Sequence, residues 1–238
     1  AYHKQQAKSD IMPLSMCVAM SQGYIGYDLQ NMIGEELDRR GLGIHCATVL
    51  TQVAVDPADP AFQHPTKPIG AFMTEEEAKK LAAEKGIDVA EDAGRGWRQV
   101  VASPRPKEIV EIATVKALMN AKHAVIAAGG GGIPVVWEDK YHLKGVPAVI
   151  DKDFASECMA EQLDADMLII LTAVEKVAIN FGKPDQKNLD ELTPEEARKY
   201  MAEGQFAPGS MLPKVEAAVK FAESKPGRTA LITLLEKA

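Results

Sequence analysis

The sequence has few of the features that several large classes of protein require. Its 238 residues include three cysteines and 5% aromatic residues, and 34 Asp and Glu outnumber 27 Lys and Arg, for a net charge of −7. A protein that binds a nucleic-acid backbone needs a basic face, so no nucleic-acid partner is predicted. Cys17, Cys46 and Cys158 form no CxxC pair, which favours reduced thiols and a cytoplasmic protein over a disulfide scaffold.

Long apolar runs and several familiar motifs are also missing. The densest apolar stretch, MLIIL, is far shorter than a membrane span, so no membrane partner is predicted. GxGxxG fails because its third glycine would fall on Pro134, and neither GxxxxGK[ST] nor GxSxG occurs. The histidines show no ligand spacing, and no HExxH or EF-hand pattern is found. These absences argue against Rossmann, P-loop and serine hydrolase sites and against a dedicated metal site.

The sequence does contain an alternation of helical patterns and short apolar segments. Periodicity and end signals predict helices over residues 14–40, 74–86, 108–122, 154–163 and 211–225, with another beginning at Pro194. Strands are predicted at 45–55 and 124–127 and in WRQVVAS, PAVID, MLIILT and TALIT. Continuous apolar strands separated by helices predict an α/β fold with a mainly parallel sheet covered on both faces.

Two of the helices have capping-box signatures at their start. Thr74 is followed three residues later by Glu77, and Thr193 by Glu196, with Pro194 at the first helical position. In this motif each side chain accepts a hydrogen bond from the other residue's backbone N–H, which defines where the helix begins.

Residues 56–106 differ in composition from the rest of the chain, because they are rich in proline: Pro57, Pro60, Pro65, Pro68, Pro104 and Pro106. We interpret this segment as an inserted subdomain that protrudes as a lid. The core would then be formed by residues 1–55 and 107–238.

A candidate ligand loop lies in HAVIAAGGGGIPVV, residues 123–136, where an apolar strand runs into the four glycines 129–132. Ligands of α/β sheets bind beyond the carboxyl ends of strands, and glycine lets backbone N–H groups face an anion without a Cβ in the way. The alternative interpretation is a flexible turn.

A second candidate lies in VIDKDFASE, where a strand delivers Asp151, Lys152 and Asp153 to the start of a helix. In one interpretation Asp153 is the helix N-cap and the charges are solvated. In the other, Lys152 lies beside a helix N-terminus, which is a favourable position for a transferring phosphoryl group, and Asp153 holds neighbouring lysines.

Two further lysines have unusual settings. Lys67 lies between Pro65 and Pro68, which stiffen the backbone around it, and Lys214 falls in the first turn of a helix after a Gly–Ser turn. Surface lysines are common, so each taken alone is better explained as a solvated side chain than as a catalytic one.

Taken together, the motifs resemble the carbamate kinases of the amino acid kinase superfamily. They occur in family order: MPLSMCVAMSQGYIGY, TQVAVDPADPAF, PTKPIG, EDAGRGWR, SPRP, GGGGIPVV, VIDKDFAS, FAPGSMLPK and LIT. The resemblance implies a three-layer αβα sandwich with a small protruding subdomain. It also implies a homodimer that transfers a phosphoryl group reversibly between ATP and carbamate, giving ADP and carbamoyl phosphate, with Mg²⁺ accompanying the nucleotide.

The resemblance also implies roles for individual residues. Lys152 and Lys214 match the family's lysines on the transferring phosphate and the nucleotide phosphates, and Asp153 matches the acid that organises them. Lys67 matches the lysine that the lid brings to carbamoyl phosphate.

Further positions would line the two substrates. Gly130 and Gly131 match backbone near the acceptor. The nucleotide wall would include Thr172, Ala173, Val174, Val177 and Met211. Phosphoryl transfer to an anionic oxygen needs positive charge and positioning more than a strong base, which agrees with lysines and glycines as the candidate groups.

The sequence departs from the family pattern at both ends. Carbamate kinases begin with a strand and a GGNA loop followed by an HGNG loop, and neither motif is present. We therefore expect the chain to lack the family's first strands and its tail. Two other functions stay open: another amino acid kinase, or a nucleotide-binding fragment without catalysis. The resemblance also implies that the reaction runs toward ATP in cells, as the last step of arginine or agmatine fermentation.

Overall fold

The computed structural model describes residues 12–92 and 94–237. The chain forms two compact units, the first spanning Ala1–Lys152 and the second Asp153–Ala238. Among the described residues, no helix combines the length and apolar character needed to cross a membrane.

The first unit is a mixture of helices and short strands. In chain order these are α1 (Leu14–Arg39), β1 (Cys46–Thr48), β2 (Gln52–Val55), β3 (Lys67–Met73), α2 (Glu75–Lys85), β4 (Val89–Glu91), β5 (Trp97–Val101), β6 (Pro106–Ile109), α3 (Ile112–Asn120), β7 (Ala124–Ile126), β8 (Ile133–Trp137) and β9 (Leu143–Gly145). Short 3₁₀ helices occur at Pro60–Phe62 and Gly129–Gly131.

Two stretches of chain in this unit run side by side. β1 pairs with β7 and β2 pairs with β8, both in parallel, so that the segments 46–55 and 124–137 are neighbours along their length. β6 and β9 extend the second pair into a four-stranded sheet of order β6–β2–β8–β9, in which both outer strands are antiparallel. Val53 and Ile109 are fully buried in this sheet.

The predicted strand over 45–55 is wrong in one respect, because it is interrupted at residues 49–51. The interruption lies opposite the break between β7 and β8 that the four glycines create. The physical reason is that the Thr51 N–H binds the Gln22 amide and the Thr51 hydroxyl binds the Ala128 N–H, so the ladder does not continue through residues 49–51.

Helix α1 packs against this interrupted pair through small and amide residues spaced four apart. A Cβ at Gly26 would lie 2.3 Å from Thr48 Cγ2, so the helix backbone touches β1 directly. Thr48 donates its hydroxyl to the Gly26 carbonyl at 3.0 Å, and its N–H donates to Gln30 Oε1 at 2.7 Å. Gln22, one turn earlier, is buried beside the glycine segment.

The inserted region 56–106 contains its own sheet. β3, β5 and β4 form an antiparallel sheet of order β3–β5–β4, and α2 accompanies it. The predicted capping box of α2 is confirmed, since Thr74 Oγ1 accepts from the Glu77 N–H and Glu77 accepts from the Thr74 N–H. The helix ends at Gly86, which has φ +63°.

The second unit contains α4 (Lys152–Gln162, whose first residue ends the first unit), β10 (Met167–Thr172), β11 (Ala178–Ile179), β12 (Lys187–Asn188), α5 (Pro194–Ala202), α6 (Met211–Glu223) and β13 (Thr229–Leu234). β10 and β13 pair in parallel from Met167 with Thr229 to Thr172 with Leu234. The capping box of Thr193 and Glu196 at α5 is confirmed. Residues of α4, β10 and α6 share a core of Ala160, Leu168, Ile170 and Phe221.

Burial alternates along β10, contrary to the expectation that such strands are covered on both faces. Leu168 and Ile170 are buried, whereas Met167, Ile169 and Leu171 are 42–53% exposed. Within the described part of the chain, one face of the β10–β13 pair is therefore about half exposed.

Three other local predictions need correction. The helix predicted over 108–122 is shorter, because Ile109 pairs with Val53 in β6 and is fully buried there. PAVID forms a single bridge, between Ala148 and Ala102, and not a strand. Asp153 is not an N-cap, because α4 already begins at Lys152 and the Asp153 carboxylate binds a lysine instead.

Candidate active site

The glycine segment after β7 has a backbone that few other residues could adopt. Ala128, Gly130, Gly131 and Gly132 all have positive φ, at 50°, 67°, 109° and 86°. Such angles are costly for residues with a Cβ and ordinary for glycine. The segment 128–132, called the glycine loop below, is therefore a defined turn between the half-buried β7 and the largely buried β8.

The surroundings of the glycines differ from one to the next. A Cβ at Gly131 would lie 2.1 Å from the Ile150 carbonyl oxygen, and one at Gly132 would lie 2.2 Å from Val53 Cγ2. A Cβ at Gly129 would touch Gln22 Cγ at 3.4 Å. A Cβ at Gly130 would meet no described atom within 4 Å. Three glycines therefore allow close packing inside the protein, and Gly130 is the one that faces open space.

The glycines of the loop also differ in whether their backbone N–H groups are hydrogen-bonded. The Gly131 N–H donates to the Ala128 carbonyl at 2.9 Å, and the Gly132 N–H donates to the Gly129 carbonyl at 3.2 Å. Among residues 12–92 and 94–237, none accepts a hydrogen bond from the Gly130 N–H. The loop thus presents one exposed backbone donor at a residue without a side chain, which suits the close approach of an anion.

Lys67, at the start of β3, has a carboxylate partner far along the chain. Its Nζ lies 2.7 Å from Asp151 Oδ2, and the side chains of Lys67 and Asp151 are 33% and 12% exposed. The inserted sheet therefore contributes a cation to the segment just before α4. The sequence placed Asp151 at the end of a strand but assigned it no role, because the partner is 84 residues away.

Lys152 directly follows Asp151 and is the first residue of α4. It is exposed, whereas its other neighbour, Asp153, is only 5% exposed. Because helix N-termini carry a partial positive charge, Lys152 adds a full charge to a site that already favours anions.

Asp153 and Lys214 form a buried ion pair within the second unit. Lys214 Nζ lies 3.0 Å and 2.9 Å from the two Asp153 carboxylate oxygens, and the side chains are 10% and 7% exposed. Lys214 lies in the first turn of α6 and Asp153 in the first turn of α4. The pair therefore joins the starts of two helices.

Lys214 also lines a cavity of about 260 Å³ in the second unit. Of the residues predicted for a nucleotide wall, Thr172, Ala173, Val174 and Met211 line it as well. Val177 does not, because it packs in a core with residues of α5 and α6. The remaining lining was not predicted from the sequence: Lys176, Ala178, Phe181, Gln205, Phe206, Ala207 and Ser210.

Phe181 is the exposed aromatic residue of that lining, whereas Phe206 is buried. It is 67% exposed, and an exposed aromatic side chain at the edge of a cavity is suited to stacking on a planar ring. Only the tertiary structure shows that Phe181 and Met211 line the same cavity.

A larger cavity of about 510 Å³ in the same unit has a different character. Its lining includes Val177 and residues of α6 and β13, but none of the lysines predicted from the sequence. Of the two cavities, the smaller one has the buried Lys214, in the first turn of a helix, in its lining.

A second ion pair joins α4 to α6. Glu157 is 1% exposed and lies one turn after Asp153, and its Oε2 accepts from Lys220 Nζ at 2.7 Å. Burial raises the pKa of Glu157 to about 7, and Glu161 contributes to the rise, although Lys220 opposes it. Glu157 Oε1 has no hydrogen-bond partner among the described residues. Close to neutral pH this carboxyl group therefore holds its proton part of the time.

Comparisons with known proteins show the family of the chain. Residues 45–233 match the sequence profile of the amino acid kinase family. The chain is 60% identical over 235 residues to the carbamate kinase-like protein YqeA of Escherichia coli strain K12. The matched region covers 99% of this chain and 75% of that protein. The chain is 56% identical over 236 residues to a carbamate kinase of Clostridium perfringens, with the same two coverages.

A solved structure leads to the same group. The carbamate kinase from Giardia lamblia bound to AMP-PNP matches with a TM-score of 0.87 at 46% identity, over 99% of this chain and 74% of that one. The chain thus spans about three quarters of the length of these relatives.

The chain belongs to the amino acid kinase family. The predicted fold class, an α/β protein of the three-layer αβα type, is confirmed by the structural match. Within the family its similarity is to the carbamate kinases, so the predicted class of enzyme, a kinase, is confirmed too.

Proposed function

We propose that this protein catalyses reversible phosphoryl transfer between ATP and carbamate, giving ADP and carbamoyl phosphate. The observation that carries the proposal is its 56% identity over almost the whole chain to a protein named carbamate kinase. The geometry supports it, because each unit presents lysine and backbone N–H groups of the kind that phosphoryl transfer requires.

The second unit would bind the nucleotide. The cavity beside Lys214 has apolar walls for a base, and Phe181 at its edge can stack on that base. The Lys214 ammonium, oriented by both Asp153 oxygens, would then contact the nucleotide phosphates. A carboxylate partner holds this buried side chain in place without contacting the nucleotide itself.

Residues of the first unit would act on the acceptor. The Gly130 N–H and the Lys67 ammonium would bind the oxygens of carbamate or of the phosphoryl group that it receives, and Gly131 would support the loop. Lys152 would stabilise the charge on the transferring phosphoryl group, where a lost charge costs on the order of 10²–10³ in rate. Carbamate already carries a nucleophilic oxygen anion, so these residues need to position it rather than deprotonate it.

Mg²⁺ would accompany the nucleotide and neutralise phosphate charge. The described residues contain no group of three or more His, Cys, Asp or Glu side chains arranged around a common point, and Asp153 is engaged by Lys214. Such a donor set fits an ion held mainly by phosphate oxygens and water, as is usual for Mg²⁺ at nucleotide sites.

The inserted segment 56–106 would act as a lid that carries Lys67. Its separate antiparallel sheet, β3–β5–β4, supports a subdomain with these boundaries. The contact between Lys67 and Asp151 would then be one that the lid makes when it lies against the segment before α4.

The test of the proposed function is ATP formation from ADP and carbamoyl phosphate by the purified protein. Glutamate or aspartate with ATP serves as the comparison, because a related kinase would use an amino acid acceptor. Turnover with an amino acid and none with carbamoyl phosphate would replace the proposal by another amino acid kinase activity. Binding of ADP without any turnover would support a nucleotide-binding protein without catalysis.

The physiological setting is part of the proposal. A kinase that consumes carbamoyl phosphate makes ATP, which suits the fermentation of arginine or agmatine. Cys17, Cys46 and Cys158 form no disulfide with one another among the described residues, as expected of thiols in a reducing cytoplasmic compartment. A homodimer is the proposed assembly, and light scattering on the eluting protein measures its mass directly.

A further inference from the structure

Thr51 holds both ends of the glycine loop. Its hydroxyl oxygen accepts a hydrogen bond from the Ala128 N–H at 2.9 Å, just before the glycines. Its carbonyl oxygen accepts from the Ile133 N–H at 2.8 Å, just after them. One residue of the interrupted β1–β2 segment therefore closes the loop at its two ends.

Thr51 is in turn held by Gln22 of α1. The Gln22 amide accepts from the Thr51 N–H at 2.8 Å and donates to the Thr51 carbonyl at 3.1 Å. The Thr51 hydroxyl donates to the Val49 carbonyl at 2.8 Å, so that both its donors and both its acceptors have partners. Thr51 is fully buried and Gln22 is 4% exposed, and neither has been placed in contact with a substrate.

A buried polar group of this kind is costly unless it is fully bonded, and once bonded it fixes the geometry around it. Here the fixed element contains Ala128 at φ +50°, an angle that is unfavourable for alanine. The hydrogen bond from its N–H to Thr51 helps to hold that angle. Because Gly130 lies two residues further on, the orientation of its open N–H depends on the same turn.

We infer that Thr51, oriented by Gln22, is a positioning residue that preorganises the glycine loop so that the Gly130 N–H points at the oxygen anion of the acceptor. Thr51 does not touch the substrate and acts only through the loop. The inference rests on the proposed function for the identity of the anion, whereas the attachment of the loop to Thr51 does not depend on it. A loop held in place before binding loses less entropy when the substrate arrives.

The experiment compares Thr51→Val, which removes the hydroxyl at nearly constant volume, with Thr51→Ser, which keeps it. Thr48→Val is the matched control, because it removes a hydroxyl that bonds α1 through the Gly26 carbonyl at 3.0 Å without contacting the glycine loop. Gln22→Met loosens Thr51 indirectly and serves if Thr51→Val does not fold. Amide hydrogen exchange over residues 128–133 is measured on each protein, together with kcat and KM for carbamoyl phosphate and for ADP.

Thr51→Val should raise exchange in the loop about fivefold to tenfold, as expected for one lost buried hydrogen bond. It should lower kcat/KM for carbamoyl phosphate by a similar factor or more, with the KM for ADP within about twofold of wild type. Thr51→Ser should behave as wild type in the loop, and Thr48→Val should change neither quantity.

Equal exchange in Thr51→Val and Thr48→Val would overturn the inference, as would faster loop exchange with unchanged use of carbamoyl phosphate. A Thr51→Ser protein as impaired as Thr51→Val would show that packing matters rather than the hydroxyl. If the wild-type protein turns over no carbamoyl phosphate, the proposed function fails, and the exchange comparison still decides whether Thr51 holds the loop.

Discussion

Replacing Lys214 by methionine would remove the ammonium group that both Asp153 oxygens contact inside the second unit. At about 2.9 Å the gross attraction between the charges is about 6 kcal/mol for an effective dielectric constant near 20. Part of that attraction offsets the cost of removing both ions from water. Loss of one partner of a buried pair typically destabilises a protein by about 3–5 kcal/mol, because the other charge stays buried.

The matched control is Lys225→Met. Lys225 Nζ lies 2.8 Å from each oxygen of Asp164, so the contact has nearly the same geometry, but its side chains are 55% and 60% exposed. An exposed pair contributes about 0–1 kcal/mol. The two substitutions therefore remove the same group from a buried and from a solvated site.

The assay is urea unfolding at neutral pH, with the free energy of unfolding compared among wild type, Lys214→Met and Lys225→Met. A double variant, Lys214→Met with Asp153→Leu, should be less destabilised than Lys214→Met alone, since it leaves no buried charge. ADP binding should weaken at least tenfold in Lys214→Met and stay unchanged in Lys225→Met. Equal destabilisation by the two methionine substitutions, with normal ADP binding in both, would refute this account of Lys214.

Four further outcomes are expected. Lys152→Ala should abolish ATP synthesis from carbamoyl phosphate while the circular dichroism spectrum of the protein stays that of wild type; near-normal turnover would contradict its placement on the phosphoryl group. Lys67→Ala should raise the KM for carbamoyl phosphate and leave ADP affinity nearly unchanged, as measured by steady-state kinetics in both substrates. Weaker ADP binding with an unchanged KM for carbamoyl phosphate would contradict the placement of Lys67 in the lid. Gly131→Ala should destabilise the fold by about 2–4 kcal/mol, because alanine is strained at positive φ and its Cβ would lie 2.1 Å from the Ile150 carbonyl oxygen. An unchanged unfolding midpoint would show that the backbone relaxes. Burial raises the pKa of Glu157 from 4.5 to about 7 in the folded protein. Between these pH values the folded state binds more protons than the unfolded state, so the free energy of unfolding should fall by about 1–3 kcal/mol as the pH rises. Glu157→Gln should reduce this fall in unfolding curves at pH 5 and pH 8, and an unaltered fall would assign the pH dependence to other groups.

The features that the sequence determined by itself are those encoded within a few residues. The capping boxes of Thr74 and Thr193 place two helix starts correctly, because both partners of each motif lie within four positions of one another. Gly86 ends α2 for an equally local reason, since it adopts φ +63° without strain. The strand MLIILT was likewise predicted at its observed bounds, Met167–Thr172.

The order of motifs along the chain also determined the family. PTKPIG, GGGGIPVV and VIDKDFAS pointed to the carbamate kinases before any geometry was known, and the relatives confirm that group. Such motifs record which residue types a site needs, and they do so without showing what each residue contacts.

Tertiary structure alone decided which distant residues the candidate site residues bind. From the sequence, Asp153 could be a helix cap or an acid that holds neighbouring lysines, and the fold shows that it binds Lys214, 61 residues away. Lys67 likewise meets Asp151 across 84 residues. Thr51 was predicted within an unbroken strand, yet it lies in the interruption between β1 and β2, where its hydroxyl binds the N–H of Ala128, 77 residues further along. In each case the local pattern is compatible with more than one conformation, and the choice follows from hydrogen bonds and ion pairs that exist only once distant segments have packed together.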